Sequence, residues 1–111
     1  MRRIYLDHAA AAPVHPQVLE TVMTTMNTSF ANPSSIHSFG REARKLLNAA
    51  RTELSRSIGA KATEIIFTSG GTEADNHAIR GIAEAYGGKG KHMITTAIEH
   101  HAVLHTFHQL E

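Results

Sequence analysis

Apolar positions along this chain repeat with a helical period in four places. Between them lie two short β-branched runs. After Pro13 and Pro16, the stretch QVLETVMTTMNTSF places Val18, Val22 and Met26 on one face and predicts a helix with proline in its first turn. ANPSSIHS follows, a loop of Asn, Pro and Ser. Ala43, Leu46, Leu47, Ala50, Leu54 and Ile58 then recur at three- and four-residue steps. They predict an amphipathic helix closed by Gly59. Glu64 to Thr68 reads as a buried strand, and Thr72 to Tyr86 as a helix ended by Gly87 and Gly88. Lys91 to Ala97 reads as a second strand, and the pattern turns helical again from His101 and still reads so at Glu111. Two strand-to-helix units in series predict an α/β fold, a parallel sheet flanked by helices. Two or three strands are few for such a sheet, so the fold reads as incomplete.

The junction IIFTSGGTEADN is the first place where this pattern implies chemistry. N–H groups in the first turn of a helix lack acceptors within the helix, and the aligned peptide dipoles add partial positive charge there. A buried strand, a Gly pair and a helix start in series make an anion cup, most often for phosphate. Gly70 and Gly71 would let a ligand approach the backbone, and Thr72 would add a hydroxyl donor. Neither G-x-G-x-x-G nor G-x-x-x-x-G-K-[ST] is matched, which removes specific support for dinucleotide and Walker-type sites. The simpler reading is a plain connection: Glu73 and Asp75 suit a helix start with no ligand, and Thr72 and Asp75 form a T-x-x-D capping pattern. The second strand ends in IEHHAV. Ligands bind beyond the carboxyl ends of strands in open α/β sheets, so Glu99, His100 and His101 fall where a site would be. An imidazole there could stack on a planar ring or move a proton near neutral pH.

Composition narrows the classes. With 111 residues, 41% apolar and 19% charged, the chain is at most one domain. Its net charge of +1 and scattered Lys and Arg give no basic stripe for nucleic acid. MRRIYLDH lacks the apolar core of a leader, and no run is long enough to suggest a membrane span. The absence of Cys excludes a disulfide framework and a thiol nucleophile on this chain, and fits a cytoplasmic setting. Nine His is the unusual count. His101, His105 and His108 share one helical face, but no carboxylate or thiolate is placed to complete a metal site. His37 and His77 read as packing or surface residues.

LDHAAAAPVHP, FANPSSIHSFGREAR, EIIFTSGGTEADN and HMITTAIEHHAVL, in that order, resemble the N-terminal part of cysteine desulfurases of the NifS/IscS type, within aminotransferase class V. The similarity spans essentially the whole chain. It implies a pyridoxal 5′-phosphate enzyme of fold type I. Residues 1–30 would form an N-terminal arm and helix, and residues 31–111 the start of the large cofactor-binding domain. The implied reaction converts L-cysteine to L-alanine and leaves sulfur as an enzyme persulfide, for iron–sulfur clusters or tRNA thiolation. By position, Gly71 and Thr72 would bind the cofactor phosphate. His100 would stack on the pyridine ring and take part in proton transfer. Asn32 to Ser35 would border the site. A homodimer and sulfur-acceptor proteins are implied as well.

Two departures stand out. The family's LDNAATTP-like start reads LDHAAAAP here, so His8 replaces an Asn and Ala11 and Ala12 replace Thr. The family's Schiff-base Lys, its pyridine-nitrogen Asp and its catalytic Cys have no counterpart, and Lys45, Lys61, Lys89 and Lys91 lie in other contexts. Two charge-assisted hydrogen bonds at roughly 1.5–3 kcal/mol each, with roughly 0.3–1 kcal/mol from the dipole, give about 3–7 kcal/mol before association costs. About 4 kcal/mol corresponds to millimolar binding. The chain alone is therefore expected to hold the cofactor weakly and to be inactive. The competing reading is a non-catalytic phosphate- or metal-binding module that pairs with a full-length desulfurase.

Overall fold

The computed structural model describes residues 2–111. It falls into two compact units, one ending at Ile65 and the other running from Ile66 to Glu111.

In the first unit, α1 spans Pro16–Thr28 with proline at its start, where a missing N–H costs nothing. None of its side chains is buried, so the Val18–Val22–Met26 stripe has no cover among the described residues. α2 spans Ser38–Ser57. Its end is a Schellman motif: the Ala60 N–H donates to Ser55 O at 2.8 Å and the Gly59 N–H to Arg56 O at 3.3 Å, with Gly59 at φ +68°. That φ is why glycine stands there. A 3₁₀ turn over Ala62–Glu64 packs on α2. The Glu64 carboxylate accepts the Lys61 N–H at 2.7 Å, and Arg51 Nε of α2 donates to Ile65 O at 3.2 Å.

The loop before α2 accounts for much of the NPSSIHSFGREAR block. Asn32 Oδ1 accepts the Ser34 N–H at 2.8 Å, and Asn32 O accepts the Ser35 N–H at 3.0 Å, closing a tight turn. The turn lies on Gly40: a Cβ there would stand 2.4 Å from Ser35 O and 2.9 Å from Asn32 O. Arg44 Nε donates to Pro33 O at 2.7 Å and an Arg41 guanidinium nitrogen to Ile36 O at 2.6 Å. The Nδ1 of His37 accepts the Gly40 N–H at 3.3 Å and caps α2. His37 is exposed, the surface position expected for it, and adds the cap to that.

The second unit is built on α3, Gly71–Tyr86, and α4, His101–His108, which pack together. α3 begins one residue earlier than the pattern predicts. α4 stops at His108 rather than running to Glu111, its last carbonyls taken by the Gln109 and Leu110 N–H groups. Neither predicted strand forms a ladder among the described residues. Glu64 belongs to the 3₁₀ turn, and residues 65–68 and 90–96 carry no regular element. A β-branched run favours an extended backbone, but a strand exists only once a neighbour takes its N–H and C=O groups. Ile66, expected in a buried strand, is 61% exposed, and Ile94 in the second run is 84% exposed. The parallel sheet of the α/β prediction is thus absent from the described residues, and the architecture seen is helical.

The buried positions are small: Gly40, Ala43 and Ser55 in the first unit, Ala102 and Thr106 in the second. A buried methyl contributes only about 0.8 kcal/mol. Caps and side-chain hydrogen bonds therefore weigh as much as apolar contact in placing these helices.

Candidate functional site

The start of α3 is an open cup. Gly70 is in extended backbone and supplies the first helical acceptor, taking the Ala74 N–H at 3.1 Å. A Cβ added at Gly70 or Gly71 would meet nothing within 4 Å, so a ligand can reach the backbone there. Thr68 Oγ1 donates to Gly70 O at 3.2 Å and steadies the turn. Thr72 occupies the second helical position, and its hydroxyl is engaged by no other described residue.

The predicted Thr72–Asp75 capping pair does not form, because the helix begins at Gly71 and leaves Thr72 inside the first turn. Glu73 does the reaching back instead. One of its carboxylate oxygens accepts the Ser69 hydroxyl at 2.6 Å and the Ser69 N–H at 2.7 Å. The Ser69 hydroxyl and then the Ser69 amide hold the Glu73 carboxyl below its ordinary value, with nearby His77 adding in the same direction. Its negative charge is turned back onto Ser69, which leaves the Thr72 hydroxyl free to meet an anion.

His100 stands at the N-cap of α4. Its Nδ1 accepts the Ala102 N–H at 3.1 Å, so the neutral ring carries its proton on Nε2. The imidazole is exposed and its orientation is fixed by the cap. Glu99 instead accepts the Thr96 hydroxyl at 2.9 Å.

Asn76 is a residue that pattern reasoning passed over. Its Nδ2 donates to Thr72 O at 2.9 Å and to Ala102 O at 3.4 Å, and its Oδ1 accepts Thr106 Oγ1 at 2.8 Å and Arg80 Nε at 3.5 Å. Both amide protons and both lone pairs are used. Thr106, 1% exposed, also approaches Ala102 O at 2.7 Å, its single proton serving one acceptor at a time. Arg80 reaches Gln109 as well. The available signal was a polar line, Thr72, Asn76 and Arg80, at helical spacing, with a weak helix former at its centre.

The remaining positions contribute differently. His101 and His105 lie with ring centroids 5.1 Å apart, but among the described residues no group of three or more His, Asp or Glu side chains is placed to hold a metal ion. In the LDHAAAAP segment, the Ala10 and Ala11 N–H groups turn back to Asp7 O, and the Tyr5 hydroxyl lies within reach of Asp7 O and Ala11 O. His8 meets the Tyr5 ring edge-on at 5.0 Å. This turn is built by backbone and Tyr5, and needs none of the hydroxyls absent at Ala11 and Ala12. A groove of about 540 Å³ bordered by Arg80, Glu84, Lys91 and Met93 lies along the C-terminal half of α3, away from the cup. No helix among the described residues is long and apolar enough to cross a membrane.

Comparison with known proteins bears on this geometry. The aminotransferase class-V family model matches residues 4–111. A putative cysteine desulfurase IscS 1 of Bacillus subtilis (strain 168) is 60% identical over 111 residues, covering 100% of this chain and 29% of its own length. A cysteine desulfurase IscS of Dictyoglomus turgidum is 53% identical over 110 residues, 99% of this chain and 28% of that one. A solved structure of a NifS-like protein superposes with a TM-score of 0.88 at 36% identity, over 98% of this chain and 30% of its own. The chain thus spans under a third of the length of these relatives. The match from Ile4 to the last residue takes in the NPSSIHSFG turn, the open start of α3 and the capped His100 together, and the chain belongs to the aminotransferase class-V family.

Proposed function

We propose that this chain forms the phosphate-gripping and ring-stacking part of a pyridoxal 5′-phosphate-dependent cysteine desulfurase. The observation that carries the reading is the start of α3: an exposed helix N-terminus with room at Gly70 and Gly71, an uncommitted Thr72 hydroxyl, and a Glu73 carboxylate turned back onto Ser69. The names of its relatives give the reaction class. On this reading Gly71 and Thr72 hold the cofactor phosphate through backbone N–H groups and the hydroxyl. His100 lies against the pyridine ring and offers Nε2–H as a donor. Accepting a proton at Nδ1 would require giving up the Ala102 cap, so its first role is orientation.

When bound, the cofactor supplies an electron sink that opens the Cβ–S bond of L-cysteine to attack by a thiol. No Cys is present here, so the sulfur-accepting thiol comes from another segment, as do the Schiff-base Lys and the Asp facing the pyridine nitrogen. The remainder of the reading is a type I fold with its sheet completed elsewhere, divided into an arm at 1–30 and a large domain from 31. It also includes a homodimer, a cytoplasmic setting, and sulfur delivery to acceptor proteins for iron–sulfur clusters or tRNA. The alternative of a module binding metal has no ligand set among the described residues to support it.

The test is an NMR titration of the 111-residue chain with pyridoxal 5′-phosphate. The Gly71 and Thr72 amides and the His100 ring should shift together, saturating in the millimolar range, with no alanine formed from L-cysteine. Unmoved Gly71 and Thr72 amides would sink the reading.

A further inference from the structure

We propose that Asn76 is the positioning residue that sets the phosphate cup and His100 at a working distance from each other. This rests on the assignment of Gly71, Thr72 and His100 made above. A ligand that is gripped at its phosphate and stacked at its ring needs those two contacts at a fixed separation, yet they sit on different helices, at the start of α3 and the start of α4. Between residues 87 and 100 the chain carries no regular element, so the connection itself cannot hold the spacing.

Asn76 can. One planar amide donates to the carbonyl of Thr72, the residue whose hydroxyl is assigned to the phosphate, at 2.9 Å. It also donates to the carbonyl of Ala102, whose own N–H is the cap donor to His100 Nδ1. Asn76 thus holds the backbone of Thr72 directly and that of Ala102, the residue that caps onto His100. Its oxygen is held in turn by buried Thr106 Oγ1 and by Arg80 Nε, which stops the amide from flipping. With both amide protons committed and its oxygen facing the Thr106 hydroxyl and Arg80 Nε, the side chain is held in one orientation.

The test compares two ligands on the whole chain: inorganic phosphate, which needs only the cup, and pyridoxal 5′-phosphate, which needs both contacts. In the unaltered chain, both should shift the Thr72 amide, and only the second should shift the His100 ring. The second should also bind roughly 2- to 12-fold tighter, the range of one ring–ring contact. Asn76→Ala and Asn76→Leu put strong helix formers into α3, and Thr106 keeps Ala102 O as an acceptor, so both helices should persist by circular dichroism. The expected result is phosphate binding within 2-fold of the original, with the pyridoxal advantage and the coupled His100 shift both lost.

An undiminished His100 response in both variants would overturn the proposal. So would loss of phosphate binding in step with helicity, which would mark Asn76 as merely structural. If phosphate and pyridoxal 5′-phosphate both leave Thr72 unmoved in the unaltered chain, the cofactor reading itself fails. If Thr72 responds but His100 does not, the stacking assignment fails, and the role of Asn76 fails with it.

Discussion

Gly40→Ala should destabilise the loop before α2 although alanine is the better helix former. The added methyl would sit 2.4 Å from Ser35 O, 2.7 Å from Ser35 Cβ and 2.9 Å from Asn32 O. Two of these are backbone oxygens of a turn already tied by Asn32 Oδ1 and by Arg44, so no flexible side-chain end can give way. Overpacking of this kind costs about 1–3 kcal/mol and occasionally more. The gain from replacing a helical glycine is up to about 1 kcal/mol. Steric cost should win, by up to about 2 kcal/mol. Gly81→Ala is the internal control: it lies inside α3 with nothing within 4 Å of the added carbon, so only the propensity gain of about 0.4–1 kcal/mol applies.

The assay is amide hydrogen exchange at Ser35 and Arg41, whose N–H groups bond to Asn32 O and His37 O. It reads local opening and needs no global two-state transition. A loss of up to about 2 kcal/mol accelerates exchange by up to roughly 30-fold, while Gly81→Ala should slow exchange within α3. Equal protection in Gly40→Ala and the parent would refute the close-approach account of the NPSSIHSFG block. So would an effect of the same sign as Gly81→Ala.

Three other outcomes follow from the same structure. His37→Ala and His100→Ala should each release a helix start at about 0.5–2 kcal/mol, seen as faster exchange of the Gly40 and Ala102 amides, with Asn at either position restoring protection. Thr106→Val should cost about 0.5–1.5 kcal/mol and loosen α4 against α3, whereas Thr106→Ser keeps the buried hydroxyl; urea titration of helical signal separates them. Glu73 has a folded-state pKa below its ordinary 4.5 because of Ser69. Its contribution is therefore complete above pH 4.5 and declines as pH falls from there through the lower folded value. Acid titration of the Ser69 amide resonance should show that decline, and Glu73→Gln should abolish it.

Much of the local structure was readable in the order of residue types. Proline placed the start of α1, three- and four-residue steps drew α2, and Gly59 with a positive φ ended it. Local sterics decide these features, so local sequence suffices. The Gly-Gly turn was legible as a helix start open to an anion for the same reason. The TSGGTEADN and NPSSIHSFG blocks together were specific enough to mark the family. What the pattern could not supply was pairing across distance. It named β-branched runs at 64–68 and 91–97 as strands, but a strand needs a second backbone to take its hydrogen bonds, and no periodicity says where one lies. It assigned the cap of α3 to Thr72 and Asp75, because a two-residue shift of the cap, from Thr72 to Gly70, is invisible to a four-residue motif. Only the packing of α4 on α3 brought Ala102 and Thr106 to Asn76, from 26 and 30 positions away in the chain. Sequence alone thus determined where the helices start and stop and which residues are candidates to meet an anion or a ring, whereas the Asn76 network that ties α4 to α3 exists only after the helices meet.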